Sequence, residues 1–494
     1  VRSGEGGAGH LKRTLGSFDL IALGVGAIIG TGIFAVIGTA AAGGADHLGA
    51  GPGIALSFII TAIACAFCAL CYAEFASLVP ISGSAYTYSY ATMGEMVAWI
   101  IGWDLIIEYA VGNVAVAIAW AAYFHQLFDG MGVHIPAWIS VDYRSAHQAA
   151  DAVAAAGGVV DPAISLNYEA WVGHPTIGGI PIIFNFLAFI IVMAVTWLLV
   201  RGVKESARAN NVMVVLKVII LLFFIGVGAT YVKPENWTPF MPNGFAGVWT
   251  GASLIFFAFI GFDAISTAAE ECKNPGRDMP IGIIGSLIAC TVIYVATAMV
   301  LTGMEPWSNL GVADPLAFAF SKHGLNWSAG IVSLGAVLSM TAVLLVFQLG
   351  QPRIFFAMSR DGLLPKYFAK VHPKYQTPHI TTIWTGIVVG VVSGFANINE
   401  IVELTNIGTL FAFVLVCLGI IILRRTDPDR KRVFRTPWVP LVPILGIAMC
   451  IYLMAGLPWV TWVRFGVWLL IGLVLYFTYG FWKSKLRGEK EKSI

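Results

Sequence analysis

Gly24-Val25-Gly26-Ala27-Ile28-Ile29-Gly30-Thr31-Gly32-Ile33-Phe34 places four glycines between positions 24 and 32, inside an otherwise apolar run. Each glycine weakens a helix interior by roughly 1 kcal/mol relative to alanine. The stretch therefore reads in one of two ways: as a close helix–helix contact through Gly26 and Gly30, four residues apart, or as a helix interrupted at mid-membrane depth. A second stretch, Phe256-Phe257-Ala258-Phe259-Ile260-Gly261-Phe262-Asp263-Ala264, sets a carboxylate two residues after a glycine. It stands five apolar segments further on. Glycine interruptions at matching places in two halves of a chain point to a binding site built from discontinuous helices, and the paired placement favours interruption over packing.

The surrounding chain fits that reading. Its 494 residues are 58% hydrophobic and 11% charged, against about 25% charged in soluble domains. Apolar runs of roughly 20 residues, each enough to cross ~30 Å of hydrocarbon, recur at about 17 to 40, 53 to 78, 94 to 124, 180 to 200, 209 to 231, 247 to 271, 280 to 303, 327 to 349, 379 to 396, 401 to 423, 438 to 457 and 460 to 482. Backbone groups have no water partner in lipid, so these spans are expected to be helices of an all-α integral membrane protein. Val1 to Ser17 is Gly-rich and basic without an apolar core, so no cleavable signal is expected there. Residues 1–16 are expected to form a cytoplasmic amino-terminal segment, in part extraneous to the natural chain before about Leu11.

Orientation follows from charge. With a cytoplasmic amino terminus, 24 of the 29 Lys and Arg residues fall on inner segments; only Arg144, Lys233, Lys322 and Arg464 fall outside, and Lys217 lies within a span. That asymmetry predicts an even number of spans with both termini inside, and a basic cytoplasmic tail at 483–494. A long outer segment, 126–179, carries Asp129, Asp142, Asp151, Asp161 and Glu169 against Arg144 alone. It reads as a solvated insertion rather than a lid. Cys65, Cys68 and Cys71 recur every three residues and read as a small-residue packing stripe rather than a metal array.

If both helices break, their ends are chemically complementary to an amino acid. The half-helix start after Ile29 presents unpaired N–H groups and a positive dipole end to a carboxylate. The half-helix ending near Phe259 presents carbonyl oxygens to an ammonium. Thr31 adds a hydroxyl, and Phe256, Phe257 and Phe259 either close the site or pack against neighbouring helices.

Ionisable residues in spans are functional hypotheses by default. Lys217, flanked by Val214-Val215-Leu216 and Val218-Ile219-Ile220, is expected to gain and lose a proton, with a static charge partner or a snorkelling cation as the alternative. Asp104 and Glu108 share a helical face; Glu108 reads as a side-chain recognition or gating group, or as a structural partner. Asp263 reads as a cap or a gating carboxylate. Glu74 and Glu403 read as interfacial. No GxxxxGK[ST] loop is present, and none of the nine histidines lies deep in a span, so neither ATP nor a haem or metal is expected to drive the protein.

Several motifs together resemble the amino acid-polyamine-organocation (APC) superfamily, and within it the bacterial homologues of the cationic amino acid transporter (CAT) family. They are Gly26 to Phe34, Tyr72-Ala73-Glu74-Phe75 with Pro80 to Tyr86, Phe259 to Asp263 with Glu270 to Pro275, Gln351-Pro352-Arg353 with Ser359 to Leu364 and Pro365, and Phe434-Arg435-Thr436-Pro437 with Pro440 and Pro443. The resemblance implies 12 transmembrane helices in a LeuT-type 5+5 inverted repeat (17–231 and 247–423) followed by two helices within 438–482. It implies that a ligand carboxylate meets the backbone at Ile29, Gly30, Thr31 and Gly32 and its amino group the carbonyls of Phe257, Ala258 and Ile260, with Asn113 as a secondary contact; Ile28, Phe256 and Phe259 complete the candidate site from the reading of the two breaks. It implies that Lys217 matches the lysine of proton-coupled members. Asp263 stands where exchangers carry a glutamate.

The expected function is proton-coupled symport of cationic or small neutral L-amino acids such as arginine, lysine or alanine across the plasma membrane. A proton-independent exchanger and a non-transporting sensor are the alternatives. No cofactor beyond the proton gradient, no enzymatic activity and no nucleic-acid partner is expected. The fold leaves a lipid-facing side on which a small single-span accessory subunit could dock.

Overall fold

The computed structural model describes residues 15–44, 47–78, 85–86, 89–90, 93–160, 164–202, 207–263, 265, 272–375 and 377–484. The Pro80 to Tyr86 and Glu270 to Pro275 motifs and the basic tail therefore lie wholly or partly outside the described residues. Helix α1, Ser17–Ile28, starts where the Asp19 carboxylate accepts the Gly16 N–H. It stops at Ile29, whose backbone is extended. A π-helical turn, Gly32–Val36, leads into α2, Ile37–Ala42, and the two pieces are bent by 47°. Helix α3 is Ile54–Leu78. Helices α4, Glu95–Ile106, and α5, Gly112–Gly130, are joined by a π-helical turn, Ile107–Val111. Such bulges cluster at functional positions, and this one contains Glu108.

The outer segment is more structured than a solvated insertion. It forms α6, Tyr143–Ala155, and α7, Ser165–Val172, with a hairpin of β1, Thr176–Ile177, and β2, Ile180–Pro181. Asp142 caps α6 by accepting the Ser145 N–H at 2.7 Å. Ala137, Val141, Ala146, Ala170 and Ile183 give the segment its own small core. That core depends on residues far apart in sequence, which is why local composition does not reveal it.

The remaining helices are α8, Phe186–Val200; α9, Ala207–Gly228; α10, Gly244–Ile255, continued by a 3-10 turn over Phe256–Phe259; α11, Pro275–Met304; α12, Pro315–Lys322; α13, Asn326–Arg360; α14, His379–Phe395; α15, Ile398–Thr426; α16, Leu441–Ala455; and α17, Trp459–Leu475. Among the described residues, seven helices can cross a membrane by length and composition, or eight with the bent pair α1 and α2; α8, α10, α14 and α16 are shorter apolar helices. Ile190, Val215, Ile219, Val292 and Leu470 point outward and are more than half exposed, as expected where lipid rather than water is the neighbour.

Three expectations change. The eighth span runs on to Arg360 with Pro352 inside it, because the helix continues past the apolar stretch that defines it in sequence. Glu74 is fully buried rather than interfacial: Arg424 grips it at 2.9 Å through both Nε and Nη2, Arg432 Nε stands at 3.1 Å, and the Thr436 N–H donates to it at 2.7 Å. Glu403 is likewise buried and accepts from Thr461 Oγ1 at 2.6 Å. Cys68 Sγ lies 3.4 Å from Cys450 Sγ and 3.9 Å from Cys417 Sγ, so the cysteine stripe of α3 packs against α15 and α16.

Candidate functional site

The two interrupted segments meet at the centre of the helical array. A side-chain carbon on Gly32 would fall 2.2 Å from Ala258 Cα; only glycine lets the backbones approach this closely. Gly261 takes a positive φ of 114°, and a side chain there would meet the Ala27 carbonyl oxygen at 2.8 Å. These glycines hold the crossing together.

Interruption leaves carbonyls at each helix end, and side chains from other helices collect them. At the end of α1, the Lys217 nitrogen of α9 donates to Gly26 O at 2.7 Å and Ile29 O at 3.1 Å, and Ser339 Oγ of α13 lies 3.4 Å from Ile29 O. At the end of α10, Asn406 Nδ2 of α15 donates to Ser253 O at 2.9 Å and Leu254 O at 2.8 Å. The hydroxyl of Tyr294, on α11, stands between the two, 3.0 Å from Ile28 O and 3.1 Å from Ala258 O. Lys217 is 2% exposed, so it does not snorkel.

Beyond the first break, the Ile33 and Phe34 N–H groups return to Gly30 O at 3.2 and 3.3 Å. Gly30 thus accepts the first bonds of the second piece, and Thr31 and Gly32 open its first turn, where N–H groups have no partner within the helix. Thr31 Oγ1 is buried without a hydrogen-bond partner among the described residues. Ala27, Ile28, Gly30, Thr31 and Gly32 face Phe257 and Ile260 across a cavity of about 10 Å³, completed by Val116, Val343 and Phe347. That is room for about one water, so the walls are closed on one another.

Of the other sequence candidates, Ile29 contributes its carbonyl to Lys217 and Ala258 its carbonyl to Tyr294. Phe256 packs edge-on to Phe413, and Phe259 against Phe58 and Tyr294, away from the cavity. Asn113 donates to Gln348 Oε1 at 2.7 Å. Glu108, in the π-helical turn of the third span, and Asp263, just beyond the break of the sixth, are both within 1% of complete burial. Both oxygens of Asp104, one turn earlier, lack a hydrogen-bond partner among the described residues. The helix that Asp263 was expected to cap lies largely outside the described residues.

Sequence reading did not single out Tyr294, Asn406, Ser339, Val116, Val343 or Phe347. Tyr294 and Asn406 carried a usable signal: a lone hydroxyl or amide deep in an apolar span needs a partner. The three cavity-wall residues carried none, since aliphatic and aromatic residues fill every span.

A family model described as amino acid permease matches residues 15–479. The branched-chain amino acid permease BcaP of Bacillus subtilis strain 168 is 50% identical over 481 residues, 97% of this chain and 96% of that protein. The methylthioribose transporter of the same strain is 46% identical over 469 residues, 95% and 94% of the two chains. Cationic amino acid transporter 4, vacuolar, of Arabidopsis thaliana is 34% identical over 429 residues, 86% of this chain and 65% of that one.

Proposed function

The chain belongs to the amino acid permease family of the APC superfamily, whose members named above are transporters and not enzymes, and from that premise we propose that it is a proton-coupled L-amino acid symporter. It works in the plasma membrane by alternating access, with both termini cytoplasmic. The observation that carries the reading is the placement of Lys217. A titratable nitrogen holds the carbonyls at the end of an interrupted helix, one residue from the amides that would meet a substrate carboxylate. Protonation there changes the bonds that fix the break, which links proton binding to the shape of the site.

The LeuT-type arrangement is supported by the packing. Counting α1 with α2 and α4 with α5 as single spans, and leaving out α6 and α7 of the segment 126–179 and the eight-residue α12, gives twelve among the described residues. The second span packs on the seventh (α3 on α11), the third on the eighth (α5 on α13) and the fourth on the ninth (α8 on α14). The first packs on the seventh as the sixth packs on the second, and the fifth on the first as the tenth packs on the sixth. Exchanging spans one to five for six to ten therefore reproduces these contacts. A repeat of five crossings must return in the opposite orientation, which gives the inverted repeats 17–231 and 247–423, with the helices of 438–482 outside them.

Backbone contacts read only the amino and carboxyl groups of a ligand. The side chain would meet Val116, Val343 and Phe347, which suit a small or branched aliphatic group, in keeping with the name of the 50% identical relative. The buried Glu108 and Asp263 are the groups that would read a cationic side chain. Uptake of labelled leucine, alanine and arginine into proteoliposomes, with and without an inward proton gradient, tests the proposal. Gradient-stimulated uptake supports symport; exchange that ignores the gradient overturns it in favour of an exchanger, and binding without flux in favour of a sensor.

A further inference from the structure

We infer that Tyr123 is a positioning residue whose hydroxyl holds the outer half of the interrupted first span against the third, and that substrate enters from outside only when this bond parts. The inference rests on the transport reading above and adds the contact that governs one side of the access cycle.

With the amino terminus inside, spans one and three both run outward. Tyr123 stands on α5 seven residues beyond the cavity-lining Val116, about 10 Å further out at a rise of ~1.5 Å per residue. Its hydroxyl donates to the Phe34 carbonyl oxygen at 2.5 Å, and its ring meets Phe34 edge-on with centroids 6.1 Å apart. Both side chains are fully buried. Phe34 lies in the π-helical turn Gly32–Val36, which begins at the cavity and leads into α2. Tyr123 therefore grips the piece of span one beyond the break, whereas Lys217 and Tyr294 hold carbonyls of the piece before it.

The two sides of this contact are anchored differently. Helix α5 is fastened to the eighth span, where Trp120 Nε1 donates to Thr341 Oγ1 at 2.9 Å and Asn113 donates to Gln348 Oε1 at 2.7 Å. Helix α2 is fitted instead to the outer segment leading into α12: a side-chain carbon on Gly38 would fall 2.2 Å from Leu310 O and 2.8 Å from Pro315 Cβ. When α2 leaves α5 it takes that segment with it, and the Tyr123 bond is a directional polar tie across the seam that opens.

A bond made in the closed state and lost in the open one shifts their populations by its own free energy. Tyr123→Phe keeps the ring contact and leaves Phe34 O buried without this donor in the closed state, whereas water reaches that oxygen in the open one. For a neutral hydrogen bond of ordinary strength the shift toward the outer-open state is about 2- to 10-fold.

The test uses the full chain in right-side-out membrane vesicles with a reporter, Ala119→Cys, at a fully buried position on the stripe of α5 between Val116 and Tyr123. A membrane-impermeant maleimide is added from outside; the seven natural cysteines are buried, and the protein without the reporter gives their background. Adding Tyr123→Phe is expected to raise the labelling rate about 2- to 10-fold. Uptake of labelled leucine gives a second readout. Its half-saturating concentration is expected to fall in right-side-out vesicles and to rise in inside-out ones, because the variant disfavours the state open to the inside; a loss of fold support would move both in the same direction. Unchanged labelling, or half-saturation that shifts one way on both sides, overturns the inference and leaves symport standing. No uptake of leucine, alanine or arginine by the unaltered protein overturns the transport reading itself, and the inference with it.

Discussion

The side-chain nitrogen of Lys217 donates to the carbonyl oxygen of Gly26 at 2.7 Å, across a helix boundary and deep within the fold. A charge-assisted hydrogen bond of this kind contributes roughly 1.5–3 kcal/mol, and Lys217 also holds Ile29 O. Removing it leaves Gly26 O without its side-chain donor and Ile29 O with only the long contact from Ser339 Oγ, beside the amides of Gly30 to Gly32. Lys217→Ala is expected to lower proton-driven uptake by roughly 10- to 100-fold while amino acid binding persists. Proteoliposome uptake beside equilibrium binding checks this, and undiminished gradient stimulation in the variant removes Lys217 from the coupling step.

Tyr294 ties both interruptions with a single hydroxyl, at 3.0 and 3.1 Å. Tyr294→Phe keeps the ring contacts with Phe58 and Phe259 and deletes only that bridge. A neutral hydrogen bond is worth about 0.5–1.5 kcal/mol net, so stability is expected to fall by about 1 kcal/mol. Transport is expected to fall further than stability, because the hydroxyl spans the surfaces that must separate for substrate to enter. Comparing the shift in thermal midpoint with the change in uptake decides it; equal proportional losses would mean that Tyr294 only supports the fold.

Gly32 faces Ala258 with no space for a methyl group. Gly32→Ala must push the two backbones apart, and no flexible side chain is available to yield. Overpacking of this kind costs about 1–3 kcal/mol. The protein is expected to remain folded, with uptake lost, because the crossing that aligns the carboxylate-facing amides with the sixth span is displaced. Native-like expression and helix content with absent binding is the predicted outcome. Normal binding affinity would show that the crossing is not part of the site.

These glycines explain how much the sequence could disclose. Gly32 and Gly261 mark their break points because no other residue satisfies the local geometry, and that requirement is written at the position itself. Lys217 is equally legible, since a cation in an apolar run demands a partner. The partner's identity is not, because Gly26 and Ile29 contribute backbone atoms that every residue possesses. Asn113 and Phe256 show the converse. Their types suit a binding site, yet Asn113 is turned to Gln348 and Phe256 to Phe413 by helix rotation, which composition does not encode. Glu74 was misplaced for a related reason: its partners Arg424 and Arg432 lie some 350 residues later, in a segment that looks like an ordinary inner basic loop.

The outer segment should respond to pH through Asp142. Burial pushes its carboxyl up to about 7 from an ordinary value of 3.8, although the Ser145 hydrogen bond opposes the shift. Because the folded form binds the proton more tightly, the contribution to stability is full below the ordinary value and is lost as pH rises through about 7. Helix α6 is held to the outer end of α15 by Arg144 against Glu400 at 2.5 Å, and by Asn397 Nδ2 donating to Ser145 Oγ at 3.0 Å. Amide exchange across Tyr143–Ala155, corrected for the intrinsic effect of pH, is therefore expected to quicken between about pH 4 and pH 7 and to level off above. Asp142→Asn should flatten that dependence; an unchanged slope in the variant would assign it to another group.

The end of the fold where α3 and α15 finish is held by a buried charge. Glu74 is fully enclosed, and Arg432 opposite it has a side chain only 1% exposed. Breaking one partner of a buried pair strands the other, at about 3–5 kcal/mol. Glu74→Ala strands two guanidinium groups and frees the Thr436 N–H, whereas Arg432→Ala leaves Arg424 still bidentate on Glu74. The Glu74 variant is therefore expected to be the less stable of the two, and the double variant less destabilised than the sum of the singles. Thermal unfolding of the three variants in one detergent measures this coupling. Additive losses would mean that Glu74 and Arg432 act on stability separately, with Arg424 and Thr436 holding the segment after α15 against α3.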